Sequence, residues 1–578
     1  MAENDLTEVV QRWQRTPEGE FKEEDRELFI NAGRTIVAQG DGGKLLDFFR
    51  EQRNQGIVKS MGCGLMAPLV DEALKRRKSL VDCRAAIHHL VQTCRPADLQ
   101  DVLLEQVKSH PEAISDTIML LVPALQTALL RLGDRKGPSV GATLEVLQTQ
   151  VAKLPVPYTP RQEREDAYGL GRCCGALLDF VRPFVAEVQG SNATADGRLR
   201  TELLKFCMLS LRDPLLQAHL DGPQSSLWNF ATQITIILPA IQHPLPKLLL
   251  CPTPRKMEQS GDRGESRACL AYLLFVQLIA MEMFPAVFSP VFVLQCNMDY
   301  INLLLSSKEE PWLMKGLELY EKSLERVEDG SLPVALLELQ SFSRVPQNLV
   351  EIMTVCPMEH LKTKGLAVFQ LFTDKLSGEA KHKFFRCMLK TSHHAGVDGH
   401  IIKNIKKQVD LTRKAAGSVW FSGSHLLSLL QLALCLPQGA ETDLLNGMDR
   451  VIESLNLLRF LLIVQKGHGS IVDASELHAL AERYLKTLRA CLCMSRSYYS
   501  SEVKGIREDH KNKAKEAREA QRGKNPARDI TVKNEKLSSM SPEVQHQVLQ
   551  SALVTFDLME SLVVRIEELM EGSCTPEI

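Results

Sequence analysis

The sequence predicts an all-α fold, an irregular HEAT-like helical-repeat solenoid in two halves. Three observations predict it. Apolar residues recur every three or four positions through most of the chain, which puts them on one face of a helix. Aromatic residues make up only 6% while Leu is abundant, which suits helices packed on helices better than sheets. Several expected helices carry an internal Pro and are followed by a second, straight helix, as HEAT-type arrays often are. The spacing of these prolines is irregular, so helix pairs are expected rather than a clean repeat.

Composition narrows the class. The 578 residues suffice for two to four domain-sized units or one long solenoid. A chain that is 44% hydrophobic and 24% charged is globular, not disordered. The formal net charge of −2 provides no basic excess, so nucleic acid is not expected as the partner. The fifteen Cys are odd in number and contain no CxxC pair. That argues for reduced, buried thiols in a cytoplasmic protein, also nuclear, and against a disulfide scaffold. The opening MAENDLTEVVQRW has no apolar core of a secretory signal. The sequon Asn192-Ala193-Thr194 is then expected to be unused.

Residues 1–160 read as N-terminal HEAT-like helices. Short amphipathic helices break at Thr16-Pro17-Glu18-Gly19 and Gly40-Asp41-Gly42-Gly43. From Lys59 the pattern settles into Met61–Arg76 with Pro68 inside, Ser79–Gln92, Pro96–Lys108 and Ser115–Leu132 with Pro123 inside. Residues 161–300 form a middle group after the stiff Pro155–Pro160 break, with a polar surface loop at Cys251–Glu265. Its apolar stretch 268–294 is interrupted by Glu282, Pro285 and Pro290. Neither uncharged half reaches the about 20 residues of a membrane span. A buried helix pair, acting as a hydrophobic hinge between two halves, is expected instead.

Residues 301–578 read as a C-terminal HEAT-like domain with longer helices, charged outside. The expected helices are Trp312–Glu328, Pro333–Phe342, Leu349–Met353, Met358–Leu376, Glu379–Leu389, Gly399–Lys414, Ser424–Leu434, Leu444–Ile463, Ala474–Met494 and Pro542–Glu571. Residues 500–539 alternate basic and acidic side chains and are poor in apolar ones, as a solvated, mobile insertion would be. The last helix has Ser541 to cap it, Pro542 in its first position, and a stripe through Val548, Ala552, Phe556, Met559, Val563 and Ile566. It is expected to pack on Leu444–Ile463 and seal the array.

Catalytic signatures are not found. Gly40–Lys44 lacks the spacing of a phosphate loop and reads as a helix end and turn. Gly169–Gly175 misses the dinucleotide fingerprint by one residue and reads as small residues at a helix contact. His393, His394 and His400 near Cys387, and His88-His89 between Cys83 and Cys94, lack zinc-ligand spacing. No cofactor and no enzyme activity are expected, although a site dispersed along the chain would leave no motif. What remains is binding chemistry. In Gly399–Lys414, Ile401, Ile402, Ile405 and Val409 form the inward face, while Lys403, Lys406, Lys407, Arg413 and Lys414 form an outward basic stripe. That stripe is either a solvated face or a docking surface. Trp420-Phe421 is either core or a partner anchor.

Several strings carry a resemblance: Leu436–Leu445 (LPQGAETDLL), Ser454–Leu461 (SLNLLRFL) and Ser551–Glu568 (SALVTFDLMESLVVRIEE). With Phe21–Asp25 and Lys59–Gly62, they resemble the glomulin family. The resemblance implies an inhibitor of cullin–RING ubiquitin ligases whose C-terminal part, here about 380–571, grips the RING subunit held by the cullin. It would thereby cover the surface where the ubiquitin-charged E2 docks. Within that part, Lys403, Lys406, Lys407, Arg413, Trp420, Arg450 and Arg459 are the candidate rim or anchor residues. It also implies FK506-binding immunophilins and a receptor tyrosine kinase tail as further partners. The 500–539 segment is longer and more charged than the family pattern. A HEAT-type scaffold or adaptor unrelated to ubiquitin is the alternative.

Overall fold

The computed structural model describes residues 3–18, 20–75, 80–133, 136–190, 197–220, 222–250, 264–414, 418–466, 471–516, 531–532, 535–536 and 542–571. It does so without the side chains of 3–7, 506–516, 531–532, 535–536 and 542. The described residues are helical almost throughout; the one strand pair is Thr531–Val532 against Glu535–Lys536. The chain divides into two compact units, Met1–Arg326 and Val327–Ile578.

In the first unit the helices Met66–Lys75, Leu80–Thr93, Pro96–Ser109, Ile114–Leu130 and Lys136–Val151 follow in turn, and each packs on the next but one. This is how a stacked array buries a continuous core from units that could not fold alone. Pro123 lies inside Ile114–Leu130, and Pro68 falls in the first turn of Met66–Lys75, where its missing N–H costs little. The glycine strings behave as local geometry requires. Gly40 has φ +85° in the turn after the helix Glu23–Ala38. A Cβ on Gly171 would come within 2.5 Å of Ser226 Oγ.

The apolar stretch 268–294 lies inside the first unit rather than between the two units. Its first part, buried throughout from Ala268 to Phe275, belongs to the helix Glu265–Phe275, and its end begins the helix Pro290–Leu305. The chain between them is pinned by left-handed Leu278 and Ala280.

In the second unit Gln340–Val355 packs on Glu359–Lys375, and Gly378–Thr391 on Ala395–Lys414 and Gly423–Ala433. Ala395–Lys414 also packs on Met448–Lys466, and the C-terminal helix Pro542–Glu571 on Met448–Lys466 and Ala474–Glu516. The expected helix at Leu444 starts four residues later, at Met448. Asp443 explains the delay, because its carboxylate accepts from the Leu445 and Asn446 amides at 3.0 and 3.2 Å and turns the chain before the helix. Ala474–Glu516 runs well past the expected stop at Met494. The part of the charged 500–539 segment that is described is therefore a helix to Glu516 and the short strand pair, and the rest lies outside the described residues. One described helix, Glu543–Glu571, is long and apolar enough to cross a membrane. Its Leu549, Ala552, Phe556, Met559, Val563 and Ile566 stripe is buried against its neighbours instead.

Candidate protein interface

The basic helix Ala395–Lys414 is held from three sides. Val397, Ile401, Ile402, Ile405 and Val409 are buried, as helical spacing requires of an inward face. Gly399 lets the helix Met448–Lys466 cross closely, because a Cβ there would sit 3.0 Å from the Asp449 carbonyl oxygen. Towards Glu359–Lys375, Asn404 and Gln370 exchange two amide hydrogen bonds. Asn404 Nδ2 donates to Gln370 Oε1 at 2.9 Å and Gln370 Nε2 to Asn404 Oδ1 at 3.0 Å. Asn404 Nδ2 also donates to the His400 carbonyl at 3.0 Å, so this buried amide is well satisfied.

Lys403, Lys406 and Lys407 fall at i, i+3 and i+4 and share one side of this helix. They border a cleft of about 460 Å³ that Gln370, His400, Asn404, Asp410 and Phe460 also line. The Lys406 ammonium lies 5.5 Å from the Phe460 ring centre, a cation–π contact. Lys407 pairs with Asp374 at 3.1 Å. Lys403 is exposed and has no carboxylate at ion-pair distance among the described residues. Arg413 is exposed at the helix end, 3.4 Å from Asp410, which also receives Lys414 at 2.6 Å. Those two cations hold the Asp410 carboxyl below its usual range, Lys414 foremost.

A second pocket of about 270 Å³ is lined by His400 together with Met353, Leu366, Phe369 and Val397 and edged by Lys362 and Glu359. His400 lines both cavities. Its ring packs edge-on to Phe369 at 5.9 Å. Burial, and then Lys403, lower its pKa and favour the neutral imidazole.

The remaining expected residues lie elsewhere. Arg450 is not an exposed rim residue: its Nη1 donates to Asp398 Oδ2 at 2.7 Å and its Nη2 to the Leu432 carbonyl at 2.8 Å, with both side chains of the pair largely out of water. Burial lifts the Asp398 carboxyl above its usual range, and Arg450 opposes that lift. Trp420, in the short turn Val419–Phe421, is half-buried between His382 at 5.6 Å and His425 at 4.4 Å and lines neither cavity. His382 Nε2 donates to the His425 carbonyl at 3.0 Å, and burial lowers its pKa. Arg459 is exposed beside Phe460 but does not line the cleft. Sequence reasoning did not single out Phe460, and weighed His400 only as a zinc ligand.

The two units are therefore all-α helical arrays, and the second presents a basic, partly apolar groove suited to binding protein. A family profile described as "Uncharacterised protein family, YAP/Alf4/glomulin" matches residues 251–552, which takes in the groove and most of the second unit. The chain is 41% identical to glomulin from Mus musculus over 590 residues, covering 99% of this chain and 98% of that one. It is 40% identical to glomulin from Homo sapiens over 595 residues, with the same coverage. The chain belongs to the YAP/Alf4/glomulin family. Among solved structures, that of the karyopherin Kap121p bound to the extreme C-terminus of the protein phosphatase Cdc14p matches 84% of this chain and 55% of its own, at 10% identity and a TM-score of 0.22.

Proposed function

We propose that this chain is a non-catalytic inhibitor of cullin–RING ubiquitin ligases. In this reading the second unit binds the RING subunit and thereby occupies the surface that the ubiquitin-charged E2 needs. The observation that carries it is the similarity to glomulin along 99% of the chain, joined to what the resemblance of that family implies. The basic groove supports it as the contact region, with Lys403, Lys406, Lys407 and Arg413 as rim residues. Steric exclusion needs no catalytic group. It needs a surface already ordered before binding, since ordering side chains and loops costs affinity. The crossing at Gly399, the Asn404–Gln370 amide pair and the Asp398–Arg450 ion pair supply that order.

The same reading assigns the cytoplasm, and also the nucleus, as the place of action. It leaves FK506-binding immunophilins and a receptor tyrosine kinase tail as partners of the first unit. The experiment is a calorimetric titration of the full chain into a RING subunit–cullin C-terminal complex. One-to-one binding supports the inhibitor reading. Failure to bind leaves a helical scaffold with another client.

A further inference from the structure

The two cavities along the basic helix differ in chemistry and meet at one residue. The 270 Å³ pocket is apolar, with Leu366 43% exposed above buried Phe369 and Val397. The 460 Å³ cleft is cationic: among the described residues Lys403 is unpaired and Lys406 meets the Phe460 ring but no carboxylate. His400, which lines both, has its Nε2 shielded from water and without a hydrogen-bond partner among the described residues. A buried polar atom without a partner is costly, and a bound group able to reach it would recover part of that cost. Asp374 is engaged by Lys407, and Asp410 by Lys414 and Arg413, so neither neutralises Lys403.

We propose that this groove is the docking site for an extended acidic segment of a partner protein. The segment would place one apolar side chain in the Leu366–Phe369–Val397 pocket and a carboxylate against Lys403 and Lys406. The spacing follows from the helix that forms the wall. Val397 and Lys403 are six residues apart, about 9 Å at the helical rise. An extended chain covers that in about three residues at roughly 3.3 Å each. The segment therefore carries an acidic residue about three positions from a Leu, Met or Phe. His400 would hydrogen-bond the segment between those two anchors. Where the partner is the RING–cullin complex, the inference names the part of it that enters the groove, and to that extent rests on the proposed function. The ligand chemistry itself is tested without that complex.

The probe is a fluorescein-labelled dodecapeptide of Gly and Ser that carries one Leu and, three positions on, a Glu pair. It is titrated into the full chain and followed by anisotropy. Saturable binding is expected, weakened at least tenfold when Gln replaces both Glu, and weakened likewise by Lys403→Glu with Lys406→Glu. Leu366→Glu should cost a similar factor while leaving the circular dichroism melt of the chain in place. Equal binding of the Gln peptide, or no saturable binding at millimolar peptide, overturns the inference. A parallel titration with the RING subunit–cullin complex separates the two claims. Peptide binding without complex binding removes the proposed function and keeps the groove's chemistry. Complex binding that survives the Lys403 and Lys406 reversals, with no peptide binding, does the opposite.

Discussion

Arg450 and Asp398 form an ion pair inside the second unit, Nη1 to Oδ2 at 2.7 Å, with side-chain exposures of only 12% and 4%. The pair ties the start of the basic helix to the helix Met448–Lys466. Taking two charges out of water is costly, so such a pair stabilises little relative to a well-packed apolar replacement, whereas breaking it strands a buried charge. Arg450→Met or Asp398→Asn alone is expected to cost about 3–5 kcal/mol in urea unfolding. Arg450→Met combined with Asp398→Leu is expected to cost clearly less than the two single losses added together.

Gly399 sets how closely the same two helices approach. A methyl group there would meet the Asp449 carbonyl oxygen at 3.0 Å, and backbone gives way less readily than a side chain. Gly399→Ala is expected to destabilise by about 1–3 kcal/mol, as overpacked contacts do. It should also shift Phe460 relative to Lys406, which a crystal structure of the variant would show directly.

Lys315 gives the first unit a pH dependence. Its ammonium is buried, donates to the Ala218 carbonyl at 2.6 Å and lies 5.3 Å from the Tyr272 ring centre. Burial pulls its pKa down from 10.5 to about 8, with Cys269 and Glu318 opposing. Between those values the unfolded chain binds the extra proton, so this group makes stability rise with pH from about 8 to 10.5 and exerts its full cost below pH 8. Cys269, whose thiol burial pushes up to about 12, and Tyr272, also raised by burial, act in the opposite direction. The quantity to measure is therefore the stability difference between wild type and Lys315→Met. It is expected to move in favour of wild type by about 3 kcal/mol from pH 7.5 to 10.5.

The C-terminal helix closes the second unit through Phe556, which is 1% exposed and meets Tyr499 edge-on at 5.3 Å. Arg489 and Glu567 join the same two helices at the surface, Nε to Oε1 2.7 Å apart. Phe556→Ala removes a buried ring and is expected to cost about 3–5 kcal/mol. Breaking the exposed Arg489–Glu567 pair should cost less than about 1 kcal/mol. Chemical denaturation of both variants checks the ranking.

How much of this was legible in the sequence depends on the range of the interaction concerned. Helix type and most boundaries were readable, because the buried stripe of Ala395–Lys414 repeats locally. The basic stripe was readable for the same reason, and the structure puts Lys403, Lys406 and Lys407 on one cleft. The start at Met448 was missed because the Asp443 turn competes with an apolar pattern that continues through it. The length of Ala474–Glu516 was missed because its end has good helix formers but few apolar residues, so periodicity is silent there. Arg450 looked like any solvent-facing arginine, since its partner Asp398 is 52 residues away. The groove needs residues from three helices, Leu366, His400 and Phe460, and nothing in their local sequence places them together.

The most direct measurement of the central claim is ubiquitin discharge from a charged E2 by a purified RING–cullin complex, with and without the full chain. The account predicts that the chain suppresses discharge stoichiometrically, and that reversing Lys403, Lys406 and Lys407 to Glu releases the suppression by at least tenfold in concentration. Undiminished discharge at saturating chain would contradict the inhibitor reading. Suppression untouched by the triple reversal would contradict its placement at the groove.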